Sequence, residues 1–382
     1  MSSTQVPPRG RAQLHVVQVV GSGSARTCAH VRSLAAGLVA RGVRVTVCAP
    51  RTTEPDYGFT GVGARFVPLT DCTEPEAAVA LRAVCGDADV VHAHGLRAAA
   101  LAVPALYGRR RRVPLVVTWH ARTRAAGARA RLMRLLERRV VRAARVVFGT
   151  TSDLVDRARR HGARDARLVP VSLAVPRAPS RAPSPAADGA ETDGRREKIR
   201  AELGATGRPL VLAVGRLAPR QGFGTLLTAS RAWRGLEPPP LLAVAGEGPD
   251  RPALRRRIEA EELPVRLLGR RGDALELLAA ADVAVVPARP EGRAVVAQEA
   301  LRAGVPLVAV AAGGLPELVG DAALLVPRGD ADALAGAVAG LLADPARRRS
   351  LAAAGRAQAA TWPSEDETVA QVLSVYDELT AG

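Results

Sequence analysis

The sequence predicts an α/β protein built from two parallel, helix-covered sheets, on three observations. Short β-branched runs alternate with longer Ala/Leu/Arg segments of helical period, the signature of repeated β-α units. The alternation runs through the chain twice. Between the two series lies a stretch, PRAPSRAPSPAADGAETDGR, with almost nothing apolar to bury.

In the first series the strands read Leu14–Val20, Val43–Ala49, Asp89–His92, Leu115–Trp119 and Arg145–Phe148. Helical stretches follow near 25–41, 75–86, 96–107, 126–144 and 152–161, which makes residues 1–175 one Rossmann-like domain. Residues 176–195 read as a flexible linker. The second series places strands at Leu210–Val214, Leu241–Ala245, Val265–Leu268, Val283–Pro287, Leu307–Val310 and Leu324–Val326, a second Rossmann-like domain over 196–360. The remaining 361–382 carries Val369, Val372, Val375, Tyr376 and Leu379 at helical spacing.

At 382 residues and 39.8 kDa the chain exceeds what one hydrophobic core serves, which also favours two domains. With 48% hydrophobic and 24% charged residues the balance is globular, and no apolar run approaches the roughly 20 residues of a bilayer span. Met1–Gln13 lacks the apolar core of a secretory signal, so a soluble, cytoplasmic protein is expected. Cys28, Cys48, Cys72 and Cys85 lie far apart without a Cys-x-x-Cys pair or clustered histidines, so buried free thiols are expected rather than zinc or disulfides. Residues 1–175 hold 28 basic against 11 acidic residues, so the whole net charge of +17 falls in that half. With aromatics at 3% and no recognition motif, specific nucleic-acid binding is excluded.

Open α/β sheets bind ligands beyond the carboxyl ends of their strands, so chemistry is sought just after strands. Gly215-Arg216-Leu217-Ala218-Pro219-Arg220-Gln221-Gly222 follows a strand, and guanidinium forks suit phosphate oxygens; plain solvation is the alternative. Further on, Glu291-Gly292 precedes a helix starting near Arg293 and Glu299 lies within it. The helix start suits a diphosphate, Glu291 sugar hydroxyls and Glu299 a ribose. The bland alternative is a capping Glu291 and a Glu299 paired with Arg302. In the first domain Gly21 and Gly23 follow the first strand, and His120 ends the strand Leu115–Trp119, where a sugar hydroxyl or a structural role are both open. His92 and His94 lack ligand partners nearby in sequence and are assigned no role. Asp87–Asp89 and Asp330–Asp332 read as caps or turns.

Residues 109–145 contain 13 arginines and a single acid, Glu137. Arg131, Arg134, Arg138, Arg142 and Arg145 form one stripe of the expected helix; Leu132, Leu136 and Val140 form another. Such a helix suits an anionic membrane surface, a phosphorylated acceptor, or plain solvation.

Taken in order, these pieces resemble glycosyltransferase family 4 of the GT-B enzymes over nearly the whole chain. The family's Gly-Arg-Leu loop is Gly215–Gly222 here, its Glu-x7-Glu is Glu291 and Glu299, and Ala303–Pro306 and Gly313–Glu317 follow. Ala245–Pro249, Leu268–Asp273 and Ala281-Asp282 are similar as well. The resemblance implies two facing Rossmann-like domains with a deep cleft, a last helix crossing back to the first domain, and retaining transfer from a nucleotide-sugar without metal or cofactor. It places Arg216 on the donor diphosphate, Glu291 with Gly292 on the transferred sugar, Glu299 on the ribose, Gly21 and Gly23 in the N-terminal glycine loop, and His120 near the anomeric centre or 6-hydroxyl. Two positions depart: Gln221 stands where the family carries a phosphate-binding lysine, and Arg293 where it carries an aromatic. Arg220 is the candidate replacement cation. A silent nucleotide-sugar-binding protein and a nucleotide-sugar 2-epimerase are the alternatives, and the acceptor is a glycan, polyol or lipid-linked hydroxyl.

Overall fold

The structure, a computed structural model, describes residues 13–21, 25–70, 75–108, 112–121, 127–169, 188–219, 221–287 and 295–381. The chain divides into two compact units, one of Met1–Ala178 with Pro363–Gly382, the other Pro179–Trp362.

The first unit contains β1 (His15–Val20), α1 (Ala25–Ala40), β2 (Arg44–Pro50), α2 (Glu54–Tyr57), β3 (Arg65–Leu69), α3 (Pro75–Val84) and β4 (Val90–His94). It continues with α4 (Leu96–Leu106), β5 (Leu115–Trp119), α5 (Gly127–Ala143), β6 (Val146–Gly149), α6 (Ser152–Arg160) and β7 (Ala166–Leu168). All seven strands are parallel, in the order β3-β2-β1-β4-β5-β6-β7. The two strands not anticipated, β3 and β7, are the edges. An edge strand is half solvated and tolerates Pro68, so its residues carry no continuous apolar run.

The second unit contains α7 (Asp188–Leu203), β8 (Leu210–Val214), α8 (Phe223–Ala232), β9 (Leu241–Ala245), α9 (Arg251–Ala260), β10 (Val265–Gly269) and α10 (Ala274–Ala280). Then come β11 (Val283–Val286), α11 (Val295–Ala303), β12 (Leu307–Val310), α12 (Leu315–Val319), β13 (Leu324–Val326), α13 (Ala331–Ala343) and α14 (Pro345–Ala360). Its parallel sheet runs β10-β9-β8-β11-β12-β13. The linker expected over 176–195 gives way at Asp188 to α7. Favourable helix formers such as Arg195, Lys198 and Glu202 explain the helix, and it is tied down by ion pairs from Arg196 (3.0 Å) and Arg200 (3.0 Å) to Asp282. Asp282 in turn accepts from the backbone N–H of Leu210 at the start of β8 (2.8 Å).

The last helix, α15 (Glu365–Thr380), belongs to the first unit. It opens with a capping box between Ser364 and Glu367. Val369, Val372, Val375 and Tyr376 are buried against the cluster of Val16, Val31, Leu34 and Phe148, each contributing about 1.5–3 kcal/mol. A Cβ on Gly37 of α1 would sit 2.5 Å from Val369 Cγ2, so the glycine lets the two helices approach. Ion pairs from Arg41 to Asp366 (3.1 Å) and from Arg167 to Glu378 (2.8 Å) flank the contact.

Both cores are Val, Ala and Leu, as parallel sheets covered on two faces require. In each sheet the strand order reverses beside the first strand, between β1 and β4 and between β8 and β11. Those switch points are where such sheets open a crevice at their carboxyl edge.

Candidate functional site

At the switch point of the first unit, Gly21 follows β1 where a Cβ would lie 2.3 Å from the backbone nitrogen of Ala98. Only glycine lets the β1 loop reach the first turn of α4. Gly23 lies outside the described residues. His120 follows β5 directly and is buried.

His120 is not alone there: histidines far apart in the sequence gather around it, and His92 and His94, given no role above, both find hydrogen-bond partners. His94 ends β4, and its Nδ1 lies 3.2 Å from His120 Nε2. His94 Nε2 is 2.6 Å from Gln18 Oε1 of β1. Gln18 Nε2 donates to the Tyr376 hydroxyl of α15 at 3.0 Å, and that hydroxyl lies 2.5 Å from His92 Nδ1. His92 Nε2 completes the chain at Thr118 Oγ1, 2.6 Å away. Parallel register sets the residues side by side: Gln18 faces His92 across β1 and β4, and His94 faces Thr118 across β4 and β5. Burial lowers His30 to about 4 and pushes His92 and His94 well below the ordinary imidazole value, assisted at the latter two by neighbouring histidines. These rings are neutral at pH 7.

His30 on α1, His94 and His120 bring ring nitrogens within 4.8 Å of one another, a grouping with the right chemistry for a metal ion. The His94 and His120 rings are inclined by only 23°, with centroids 5.5 Å apart and facing nitrogens 3.2 Å apart. The two nitrogens therefore lie almost on the line joining the rings. That is the geometry of an N–H···N bond, whereas a shared metal would draw both lone pairs off the line.

In the second unit three carboxyl-end loops converge at the switch point. Arg216 and Leu217 follow β8, and a Cβ on Gly246 or Gly248 after β9 would lie 1.8 Å from the Gly215 carbonyl oxygen and 2.1 Å from that of Leu217. Gly222, at φ +78°, caps the start of α8 and would place a Cβ 1.9 Å from the Pro287 carbonyl oxygen after β11. Arg216 is exposed on this edge, and Gln221 is half-buried and bonded through its backbone N–H to Ala218 O (3.1 Å). Arg220, Glu291 and Gly292 lie outside the described residues. So does Arg293, the expected helix start; the described part of α11 begins at Val295.

Glu299 is half-buried on α11 and pairs with Arg302 at 2.9 Å, while Arg302 lies over the Trp362 ring at 5.6 Å. The i,i+3 pairing weighed from the sequence is therefore real. Glu299 also retains acceptor capacity, since a carboxylate has about four lone-pair positions. Sequence reasoning missed Gln298 beside it, which is 1% exposed and has no partner for either amide atom among the described residues.

On α5, Leu136 is half-buried and Val140 buried, as expected, but Leu132 and Leu135 are 60% and 61% exposed. They share the solvent face with Arg131, Arg138, Arg139 and Arg142. Glu137 is buried instead, held by Arg157 (2.6 Å) and His161 (3.3 Å) of the α6 region. That interior pairing turns the helix and leaves Leu132 outside.

Comparison with known proteins adds the following. Residues 195–358 match the family "Glycosyl transferases group 1", and residues 28–174 match "Glycosyl transferase 4-like domain". The alpha-D-kanosaminyltransferase of Streptomyces kanamyceticus is 31% identical over 305 residues, 76% of this chain and 77% of the relative. A GDP-mannose-dependent alpha-(1-6)-phosphatidylinositol monomannoside mannosyltransferase of Mycolicibacterium smegmatis is 35% identical over 195 residues, 47% of this chain; the match spans about half of that relative, 51%. Among solved structures, HepE of Anabaena in complex with UDP superposes with a TM-score of 0.78 at 18% identity, covering 96% of this chain and 100% of that one. Both chains share the GT-B fold, with two Rossmann-like domains.

Proposed function

Because this chain belongs to the group 1 glycosyl transferases, we propose that it moves a sugar, with retention of anomeric configuration, from a nucleoside diphosphate sugar to an acceptor hydroxyl. The observation that carries the reading is the convergence of Gly215–Gly222, Gly246–Gly248 and Pro287 at the carboxyl edge beside α11. Glycine at these positions lets the three loops pack backbone to backbone, and a main-chain surface of this kind is what a diphosphate binds. Arg216 binds the diphosphate, Glu299 the ribose, and Glu291 with Gly292 the transferred sugar, while Gly21, Gly23 and His120 serve the sugar and acceptor side. The principal electrostatic contribution is stabilisation of charge on the departing nucleoside diphosphate, and the acceptor oxygen attacks from the face that the diphosphate leaves. No metal or cofactor is required in this reading.

Gln221 favours a second reading, a protein that binds donor and turns it over slowly or not at all, because an amide hydrogen-bonds phosphate without neutralising it. Arg220 is the residue we assign to restore that charge. Titration calorimetry against UDP-, GDP- and ADP-sugars, followed by release of the nucleoside diphosphate, separates the readings. Binding with release, lost in Arg216→Ala, supports transfer; binding without release in the presence of candidate acceptors supports the silent protein; no binding sinks both.

For the acceptor side, the α5 face of Arg131, Leu132, Leu135, Arg138 and Arg142 suits a peripheral contact with anionic lipid and hence a lipid-linked acceptor. No helix among the described residues is long and apolar enough to cross a membrane.

A further inference from the structure

We propose that Arg302, held over the Trp362 ring, fixes the Glu299 carboxylate in one orientation and so sets how strongly the protein prefers a ribonucleoside diphosphate over its dideoxy counterpart. This rests on the assignment of Glu299 to the donor ribose in the reading above. Arg302 and Trp362 are positioning residues; only Glu299 is assigned contact with the nucleotide. All three lie in the second unit.

A glutamate on a helix surface samples many rotamers, and ordering it when a ligand arrives costs entropy. An ordinary i,i+3 ion pair changes this little, because the arginine is as mobile as the acid it meets. Here the arginine is held from a second side. Its Nη1 donates to Glu299 Oε1 at 2.9 Å, while the guanidinium carbon lies 5.6 Å from the centre of the Trp362 ring, within the range where a planar cation stacks on an indole.

The ring is in turn fixed to the body of the unit. Trp362 packs against the core that contains Leu301, and its backbone N–H donates to Ala359 O at 3.3 Å. Gln358, one turn earlier, donates from Nε2 to Leu318 O of α12 at 3.2 Å. Helix α14 closes on α11 through the buried Gly355, where a Cβ would lie 3.4 Å from Leu301 Cα. The order of support therefore runs from the core to Trp362, to Arg302, to Glu299.

What this leaves at the carboxylate suits a vicinal diol. Arg302 uses one of about four lone-pair positions, and Oε2 accepts no hydrogen bond among the described residues. Two hydroxyls can then donate to an acceptor whose orientation is already set, so less entropy is lost on binding. Arg302 also offsets a negative charge that repels a diphosphate, but that effect acts equally on nucleotides with and without ribose hydroxyls. The ratio of the two affinities isolates the positioning.

The test is titration calorimetry with UDP and GDP, each beside its 2′,3′-dideoxy counterpart. For whichever base binds, the wild type is expected to favour the ribonucleotide at least about tenfold, and Arg302→Met to cut that preference roughly fivefold. Arg302→Lys, which keeps a cation between the acid and the ring, recovers most of it. In Glu299→Ala the preference is gone, and adding Arg302→Met there changes the ratio less than about twofold, as a residue acting through Glu299 requires. Equal weakening of both nucleotides in Arg302→Met, or an unchanged ratio, overturns the proposal while the donor site stands. A wild-type preference that survives in Glu299→Ala removes the ribose assignment and the proposal with it. A wild type that binds none of the four nucleotides defeats the proposed function itself and this inference together.

Discussion

Gln221 concentrates the chemical question in one side chain. If leaving-group charge limits turnover, Gln221→Lys will raise kcat for donor consumption about tenfold, read in a nucleoside diphosphate release assay; an unchanged rate would mean that the cation is already supplied elsewhere. Gln298 poses the opposite case, a buried amide with no partner among the described residues. Gln298→Leu removes an unmet desolvation cost at similar volume and is expected to stabilise the second unit by about 1 kcal/mol in urea unfolding. Gly222→Ala should do the reverse. Its φ of +78° and a Cβ 1.9 Å from the Pro287 carbonyl oxygen leave no tolerable position, so a loss of about 2–3 kcal/mol and weakened donor binding are expected together.

Among the elements, α5 and α15 have surfaces that their own sequences only half explain. The exposed leucines of α5 lie among arginines, and each arginine near an anionic surface is worth about 1 kcal/mol. Replacing Arg131 and Arg138 together by alanine should therefore weaken co-sedimentation with vesicles rich in anionic lipid roughly thirtyfold. Binding that ignores anionic lipid content would remove the membrane contact from the reading. Helix α15 is anchored by a reciprocal cap, and Ser364→Ala should cost the first unit about 1 kcal/mol, seen as a lower urea midpoint with unchanged slope.

For the molecule as a whole, acid tolerance is divided unequally. All six histidines lie in the first unit, and burial depresses His30, His92 and His94. A depressed folded-state value means that the unfolded chain takes up protons first, so stability is full above about 6.5 and falls as pH drops toward about 4. His30 alone contributes roughly 3 kcal/mol over that window. The depressed carboxylates Glu261, Asp273, Glu367 and Glu378 act lower, their contribution falling away only as pH drops below the ordinary carboxylate range. Hydrogen exchange followed from pH 7 to 5, corrected for intrinsic rates, should therefore show protection lost in the first unit while the second is unaffected. Equal loss in both would contradict the histidine account.

By itself the sequence determined what is local or periodic. Eleven strands announce themselves as short apolar runs, the Gly215–Gly222 loop by its glycines after a strand, and the last helix by apolar spacing from Val369 to Tyr376. Edge strands such as β3 escaped because half-solvated residues carry no such run, and the start of α7 because a Pro/Ala/Ser-rich stretch with almost nothing apolar to bury reads as linker, although Arg196 and Arg200 find Asp282. Only the tertiary structure could join Gln18, His92, His94, His120 and Tyr376. Their separations in sequence are bridged by parallel register and by a helix returning from the far end of the chain, and neither leaves a mark on the local pattern of residues.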